Sequence, residues 1–171
     1  MSRRPFEDTV LPHLDAAYNY ARWLARNDAE AEDVVQEACV RALRFFPSLR
    51  GENARAWLFT IVRNTWYSRA RKGGLMQPAA PDSAQDDRPD EALDPEALLL
   101  QQHTVRRVRA ALDELPADFR EVLALRELEG LSYKEIAAVM GIPIGTVMSR
   151  LTRARERLLT ALRPSAMETL P

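Results

Sequence analysis

The chain has 171 residues, with 24 lysines and arginines against 25 aspartates and glutamates, so its formal net charge is −1. A single cysteine excludes an intrachain disulfide, and neither histidine has a Cys or His neighbour at ligand spacing, so we expect no metal site and no cofactor. No apolar run approaches the roughly 20 residues that span a bilayer, and we expect a protein of the reducing cytoplasm.

Helix-forming residues dominate the composition, and only six glycines occur. Because alternating β-branched runs are almost missing, the sequence predicts an all-α protein. Residues 76–97 differ, since they contain four of the eleven prolines and seven acidic residues but only one basic residue. We interpret them as a flexible acidic linker between two small helical domains, residues 1–75 and 98–171. The segments carry net charges of +3, −6 and +2 in chain order, so both domains are mildly basic.

The first domain is predicted to contain three helices. Apolar spacing indicates the first over about residues 12–26. The stretch from Asn27 to Glu30 resembles a capping box that opens the second helix, and Pro47 ends that helix. The third covers about residues 54–72, after which two consecutive glycines end it.

The second helix has two contrasting faces. Its apolar face is predicted to be buried and holds Ala31, Val34, Val35, Ala38, Cys39, Ala42 and Leu43. Its exposed N-terminal part carries Glu30, Glu32, Asp33 and Glu37. These carboxylates would repel phosphates but suit a basic protein surface, or they simply complement the helix dipole. With no nucleophile, metal or pocket beside Asp33 and Glu37, we expect no enzyme active site.

The third helix is hard to explain as structure alone. Projection at 100° per residue predicts a buried side of Ala54, Trp57, Leu58, Ile61, Val62 and Thr65. The outward side holds Phe59, Thr60, Arg63, Asn64, Trp66, Tyr67 and Arg71. Interleaved aromatic and basic side chains can stack unpaired bases and neutralise their backbone. The alternative, that Trp66 packs against the first helix, is equally open at this point.

The second domain is also predicted to be helical throughout. One helix covers about 98–115, and the next is capped by Asp118 and closed by Gly130. A capping box then opens a short helix over 132–140, and a Gly-Ile-Pro turn leads into a final helix over about 145–162.

The last two helices have the layout of a helix-turn-helix. The side facing the preceding helix is predicted to hold Val147, Leu151, Ala154 and Leu158, and the opposite side Ser149, Thr152, Arg153 and Glu156. Outward Arg, Ser and Thr suit the major groove of DNA, and residues 134–163 contain six basic against two acidic side chains. The alternative is a solvated Arg/Glu face on an ordinary helical hairpin.

Four motifs occur in order along the chain: DVVQE at 33–37, AWLFTIVRN at 56–64, SYKEIA at 132–137 and GTVMSRLTRAR at 145–155. In this order, with a linker between them, they resemble the extracytoplasmic-function (ECF) sigma factors of the sigma-70 family. The resemblance covers roughly residues 10–72 and 98–162. It implies a promoter-recognition subunit of bacterial RNA polymerase, with a region 2 helical bundle and a region 4 helix-turn-helix joined by the acidic linker.

The resemblance also implies a partner for each surface. Core polymerase, through its β′ clamp helices, would be bound by Asp33, Gln36 and Glu37. The −10 DNA element would be bound by Arg50, Gly51, Glu52, Asn53, Arg63, Asn64, Trp66, Tyr67 and Arg71. The −35 element would be bound by Lys134, Thr146, Met148, Ser149, Arg150, Thr152, Arg153 and Arg155. Further implied features are contact with the polymerase β flap, an anti-sigma factor, a monomeric free state and a role in a stress or envelope response.

Two other functions stay open on the sequence alone. A helix-turn-helix regulator that acts without stable polymerase binding would need a ligand pocket or a dimer interface in residues 1–75, where no obvious one is present. An interaction protein such as an anti-sigma decoy would keep its function after charge reversal at Arg150 and Arg153.

Overall fold

The structure is a computed structural model, in which residues 5–51, 53–73 and 94–163 are described. Within these ranges every regular element is helical and no strand occurs. The all-α prediction is therefore confirmed for this part of the chain. Glu52 and residues 76–93 of the predicted linker lie outside the described residues.

Eight α-helices occur in the described ranges. They are α1 (Phe6–Thr9), α2 (Leu14–Ala25), α3 (Asp28–Phe45), α4 (Ala54–Gly73), α5 (Pro95–Glu114), α6 (Ala117–Leu123), α7 (Tyr133–Met140) and α8 (Ile144–Leu162). Short 3-10 turns cover Leu11–His13 and Phe46–Ser48, and a π-helical turn, Ala124–Leu128, continues α6. Of the helices, α1 was not predicted, and most other bounds lie within two residues of the predicted ones.

The first half is a bundle of α2, α3 and α4, which pack against one another in all three pairs. Arg26 ends α2 in the left-handed conformation with φ 59°. The Asn27 side chain then accepts a hydrogen bond from the Glu30 N–H at 3.1 Å, which caps α3 through one of the two bonds of the predicted capping box. The largest fully buried side chains of this half are Tyr20, Phe59, Leu58, Val10, Val34 and Val62.

Two predictions about helix faces are wrong. The buried stripe of α3 is narrower than predicted, so Leu43 at its edge is 59% exposed. Phe59 was placed on the outward side of α4 but is fully buried, with its ring centroid 5.1 Å from that of Tyr20. The projection assumed that α4 has one buried side, whereas α2 and α3 pack on it together with α7 of the second half.

The second half is built around the predicted helix-turn-helix. The Ser132 side chain accepts from the Glu135 N–H, and the Glu135 carboxylate accepts from the Ser132 N–H, so the predicted capping box opens α7. Gly141, with φ +67°, ends α7 and turns the chain toward α8. The core of this half includes Val122, Leu125, Leu131, Ile136, Val147 and Leu151.

The starts of α5 and α6 differ from the prediction. Because the Asp94 side chain accepts from the Glu96 N–H at 2.8 Å, α5 begins at Pro95, three residues before the predicted start. Proline suits this first helical position, since its missing N–H would have no partner there. No side chain caps α6: the helix follows Pro116, and Asp118 lies inside its first turn. An acidic residue there favours the helix dipole without acting as the cap.

The two halves pack against each other. Helices α2 and α4 of the first half contact α6 and α7 of the second, and buried apolar residues from both halves belong to one continuous cluster. Through this contact, Asn53, Arg63 and Tyr67 of the predicted −10 set are paired with residues of the second half.

Candidate functional site

The acidic surface consists of Asp33, Gln36 and Glu37 on α3. Asp33 and Gln36 are exposed and Glu37 is half-buried. All three lie on sides of α3 that face away from the core, whereas Val34 and Ala38 of the same helix are buried. The helix therefore presents two carboxylates and an amide on neighbouring turns.

Two arginines hold this acidic surface in place. Arg69 of α4 reaches Glu37 with Nη1 at 3.2 Å and Asp33 with Nη2 at 3.7 Å, and it also lies 3.6 Å from Glu30. Arg41 reaches the other oxygen of Glu37 at 2.9 Å. The hydrogen bond to Glu37 is the main cause that raises the pKa of Arg69. No local sequence signal pairs Arg69 with α3, since Glu37 lies 32 positions away in the chain.

The α4 surface carries the predicted aromatic and basic residues. The Arg63 guanidinium lies over the Tyr67 ring, 4.5 Å from its centroid. Both side chains also turn toward Glu121 of α6, with Arg63 Nε at 2.6 Å and Tyr67 Oη at 3.3 Å. Asn64 is exposed, whereas Trp66 is half-buried against the core cluster. Arg63 and Tyr67 therefore lie together, but both already have Glu121 as a partner.

The loop before α4 carries the other predicted −10 residues. Arg50 and Gly51 are exposed, and Gly51 has φ +95°, which any other residue type would adopt only with strain. Asn53 has two partners: its Oδ1 accepts from the Ala56 N–H at 3.1 Å, and its Nδ2 donates to Glu135 at 2.6 Å. The loop is thereby tied both to α4 and to α7 of the other half.

The α8 surface is the outward side of the last helix. Met148, Ser149, Thr152 and Arg153 are exposed, as is Lys134 at the start of α7. The inward side is confirmed, since Val147, Leu151 and Ala154 are buried and Leu158 is half-buried.

The polar side chains of α8 differ in burial and in the hydrogen bonds and ion pairs that they already make. The Ser149 and Thr152 hydroxyls donate to backbone carbonyls one turn earlier, which leaves their oxygens able to accept. Thr146 and Arg150 are half-buried. Arg155 pairs with Glu127 at 2.6 Å, and this hydrogen bond is the main cause that raises its pKa. Arg153 thus lies on the exposed side of α8, away from the ion pair that holds Arg155.

Several site types are not found among the described residues. No group of three or more His, Cys, Asp and Glu side chains converges in a way that would hold a metal ion. No helix in the described ranges is both long and apolar enough to cross a membrane. Cys39 is half-buried, and burial raises the pKa of its thiol, which disfavours the reactive thiolate.

Family profiles match both halves of the chain. The profile described as Sigma-70 region 2 matches residues 9–75, and the one described as Sigma-70, region 4 matches residues 105–158. Together they cover more than half of the sequence. The chain belongs to the sigma-70 family of transcription initiation factors.

Relatives place it among the ECF sigma factors within that family. It is 36% identical to the RNA polymerase sigma-H factor of Pseudomonas aeruginosa, over 97% of this chain and 90% of that protein. It is 38% identical to the ECF RNA polymerase sigma-E factor of Escherichia coli K12, over 79% of this chain and 75% of that protein. It is 34% identical to the ECF sigma factor SigE of Mycolicibacterium smegmatis over 96% of this chain, but spans only 64% of that longer protein.

Solved structures share the fold. The sigma factor RpoE of Bartonella quintana, in complex with the anti-sigma factor NepR, superposes with a TM-score of 0.73 at 34% identity, covering 94% of this chain and 98% of that one. CnrH, in complex with the cytosolic domain of CnrY, gives a TM-score of 0.64 at 28% identity, covering 92% and 86% of the two chains.

Proposed function

We propose that this chain binds core RNA polymerase and directs promoter-specific, DNA-templated transcription initiation. One observation carries the proposal: an exposed acidic surface in the first half and an exposed Arg, Ser and Thr surface on α8 belong to the same chain. The first repels DNA and suits a basic protein, whereas the second suits the major groove. A protein that links polymerase to a DNA sequence needs both.

The first half would dock on polymerase through the acidic surface. Asp33, Gln36 and Glu37 would bind the clamp helices of the β′ subunit, with Arg69 and Arg41 holding the carboxylates in place. Ordered carboxylates lose less side-chain entropy on binding than free ones do.

The two halves would read separate parts of the promoter. The loop at residues 50–53 and the α4 surface would capture unpaired bases of the −10 element by stacking and charge. The α8 surface, with Lys134 at the start of α7, would read the −35 element and lie near the polymerase β flap. Residues 1–75 and 98–171 would act as two domains joined by the acidic linker, 76–97.

Regulation and location follow from the same proposal. One structural relative, the sigma factor RpoE, is in complex with the anti-sigma factor NepR, which supports an anti-sigma partner for this chain. We place the chain in the cytoplasm as a monomer without enzymatic activity or cofactor, in a stress or envelope response.

Run-off transcription tests the proposal. Purified core polymerase from the native organism, with and without the chain, would transcribe fragmented genomic DNA, and the RNA 5′ ends would be mapped. We expect discrete start sites that need the chain and share −10 and −35 sequences.

The competing function has its own signature. A chain that binds promoter DNA but never associates with core polymerase, and that sediments as a symmetric dimer on paired half-sites, would be a helix-turn-helix regulator. That result would overturn the proposal.

A further inference from the structure

An apolar pair is exposed at the start of α8. Ile144, the first residue of the helix, is 46% exposed, and Met148 is 51% exposed. The two lie four residues apart, on the same side of the helix. Val147 and Leu151, from the same turns, are the residues that enter the core. About half of the surface of Ile144 and of Met148 therefore stays in water, and covering it with an apolar group would be favourable.

Polar residues of the α8 surface surround this apolar pair. Ser149 follows Met148 directly, Thr152 lies one turn further on, and both are exposed. The Thr152 hydroxyl donates to the Met148 carbonyl at 3.0 Å, so the two residues are neighbours along the helix. In a helix-turn-helix, the N-terminal residues of the second helix contact the base edges. Met148 is the fifth residue of α8 and lies within that part of the helix.

Charge and size favour DNA over a protein as the partner that covers the apolar pair. Lys134 and Arg153 are exposed cations of the same half, and residues 134–163 hold six basic against two acidic side chains. Such cations bind the phosphates on either side of a groove. Two half-exposed side chains also offer far less apolar surface than the roughly 800 Å² that each partner buries in a standard protein interface. They match a single small apolar group instead.

The major groove of DNA offers one such group. Guanine, adenine and cytosine present hydrogen-bond donors and acceptors there, whereas thymine adds a 5-methyl group beside its O4 acceptor. Met148 has no side-chain donor, and its thioether sulfur is only a weak acceptor, so it is unsuited to the polar edges of the other bases. Its unbranched, flexible side chain can adapt to a methyl group in the groove.

We propose that Met148 determines specificity on the α8 surface: its side chain contacts the 5-methyl group of one thymine in the −35 element, and Ile144 adds apolar surface beside it. The inference rests on the proposed function for the place of that thymine in a promoter. It deepens that function by naming the base and the chemical group that is read. Hydrogen-bonding side chains such as Arg153 would read neighbouring base pairs.

The first experiment locates the thymine. The full-length chain is immobilised at low ionic strength, where DNA binds most tightly, and selects from duplexes with a randomised central sequence. We expect the unsubstituted chain to enrich thymine at one position and Met148→Ala to lose the preference at that position only. Leu159→Ala is the matched control and should keep it. Leu159 is an apolar residue of α8 that is 61% exposed, about three turns beyond Met148.

The second experiment removes the methyl group alone. Replacing that thymine with deoxyuridine keeps the base pair and the O4 acceptor, and fluorescence anisotropy gives the affinity for each duplex. For the unsubstituted chain we expect deoxyuridine to weaken binding about fourfold, the effect of burying one methyl-sized group. Met148→Ala should bind both duplexes equally. Met148→Leu keeps an apolar side chain of similar size and should still prefer thymine, and Leu159→Ala should keep the full difference.

Two kinds of result would overturn the assignment of Met148. If the unsubstituted chain enriches no thymine, or binds the thymine and deoxyuridine duplexes equally, no methyl group is read, and any thymine preference comes from O4 or from DNA shape. If Met148→Ala keeps the difference between the duplexes, another side chain, such as Thr152, contacts the methyl group. Circular dichroism checks the folding of each variant. The comparison of the two duplexes with the unsubstituted chain needs no variant and decides even if Met148→Ala is misfolded.

Binding to core polymerase separates this inference from the proposed function. If the chain binds core polymerase and directs discrete start sites but does not distinguish thymine from deoxyuridine, the thymine contact is wrong and the sigma-factor function stands. If Met148 distinguishes the two duplexes but no form of the chain binds polymerase, the thymine contact stands and the proposed function is wrong.

Discussion

Arg69 of α4 donates a hydrogen bond to Glu37 of α3 across 3.2 Å, although the two residues lie 32 positions apart in the chain. The same guanidinium lies within 4 Å of Asp33 and Glu30, so one cation ties three carboxylates of the α3 N-terminal half to α4. The surface proposed to bind polymerase is thus shaped by a residue outside it.

Replacing Glu37 with Gln should weaken binding to core polymerase. The substitution keeps the size of the side chain but removes the charge that faces the basic partner and that Arg69 and Arg41 hold in place. We expect a loss of about 1 kcal/mol, or about fivefold in affinity, measured by biolayer interferometry with immobilised core enzyme. Glu32→Gln makes the same charge change at an exposed position of α3 outside the acidic surface. If both variants lose affinity equally, only net charge matters and the assignment of Glu37 fails.

Replacing Arg69 with Gln should destabilise the first half in a salt-dependent way. Glu30, Asp33 and Glu37 would lose a shared cation and repel one another. The side chains in these ion pairs are about one-third exposed or more. We therefore expect the free energy of unfolding to fall by only about 0.5–1 kcal/mol at low ionic strength. This loss should shrink as salt is raised. Urea unfolding at low and at high salt gives the measurement. Arg44→Gln, at an exposed site of α3, is the control. A loss that is independent of salt would count against the electrostatic cause.

The local features of the fold are predictable because their causes lie within four residues. The capping box of Ser132 and Glu135, the Asn27 cap and the left-handed Gly141 all depend on immediate neighbours. The outward side of α8 is likewise predictable, since the apolar spacing of that helix selects one buried side.

The pairings between helices were not predictable in the same way. Tyr20 and Glu121 are 101 positions apart, and nothing near either residue indicates the other. Sequence reasoning assigned Glu121 no role, although a charged residue between apolar positions of a short helix is a weak signal of a buried partner. Phe59 was misplaced for a related reason, because its burial depends on a second layer of helices that periodicity within α4 does not report.

Glu135 should stabilise the chain at neutral pH and stop doing so in acid. Its pKa is lowered from 4.5, first by the hydrogen bond from the Ser132 N–H and then by that from Asn53. A carboxylate with a lower pKa in the folded state stabilises fully above the unfolded pKa, and this contribution is lost as pH falls through the folded pKa. Glu135→Gln should therefore lower the free energy of unfolding at pH 7, and the difference should shrink as pH falls below about 4.5 and vanish once the pH is below the folded-state pKa.

Urea unfolding of the Glu135→Gln variant across that pH range gives the measurement. Glu156→Gln is the matched control, since Glu156 is an exposed glutamate of the same half on the outward side of α8. A difference at pH 7 that persists unchanged into acid would mean that the lost group acts through packing and not through its charge.

Replacing Arg153 with Ala should weaken binding of the −35 element by about 1–3 kcal/mol if the guanidinium makes a bidentate contact to a guanine. Arg153 is exposed on α8, on the side opposite the buried Leu151 and Ala154, so the substitution removes no core contact. Arg153→Lys is the informative companion, because it keeps the charge but cannot form the bidentate pair. Anisotropy titrations of the polymerase complex on −35 duplexes from the mapped promoters should show a large loss for both variants. If Lys restores the affinity, Arg153 contacts a phosphate and the base reading lies elsewhere on α8.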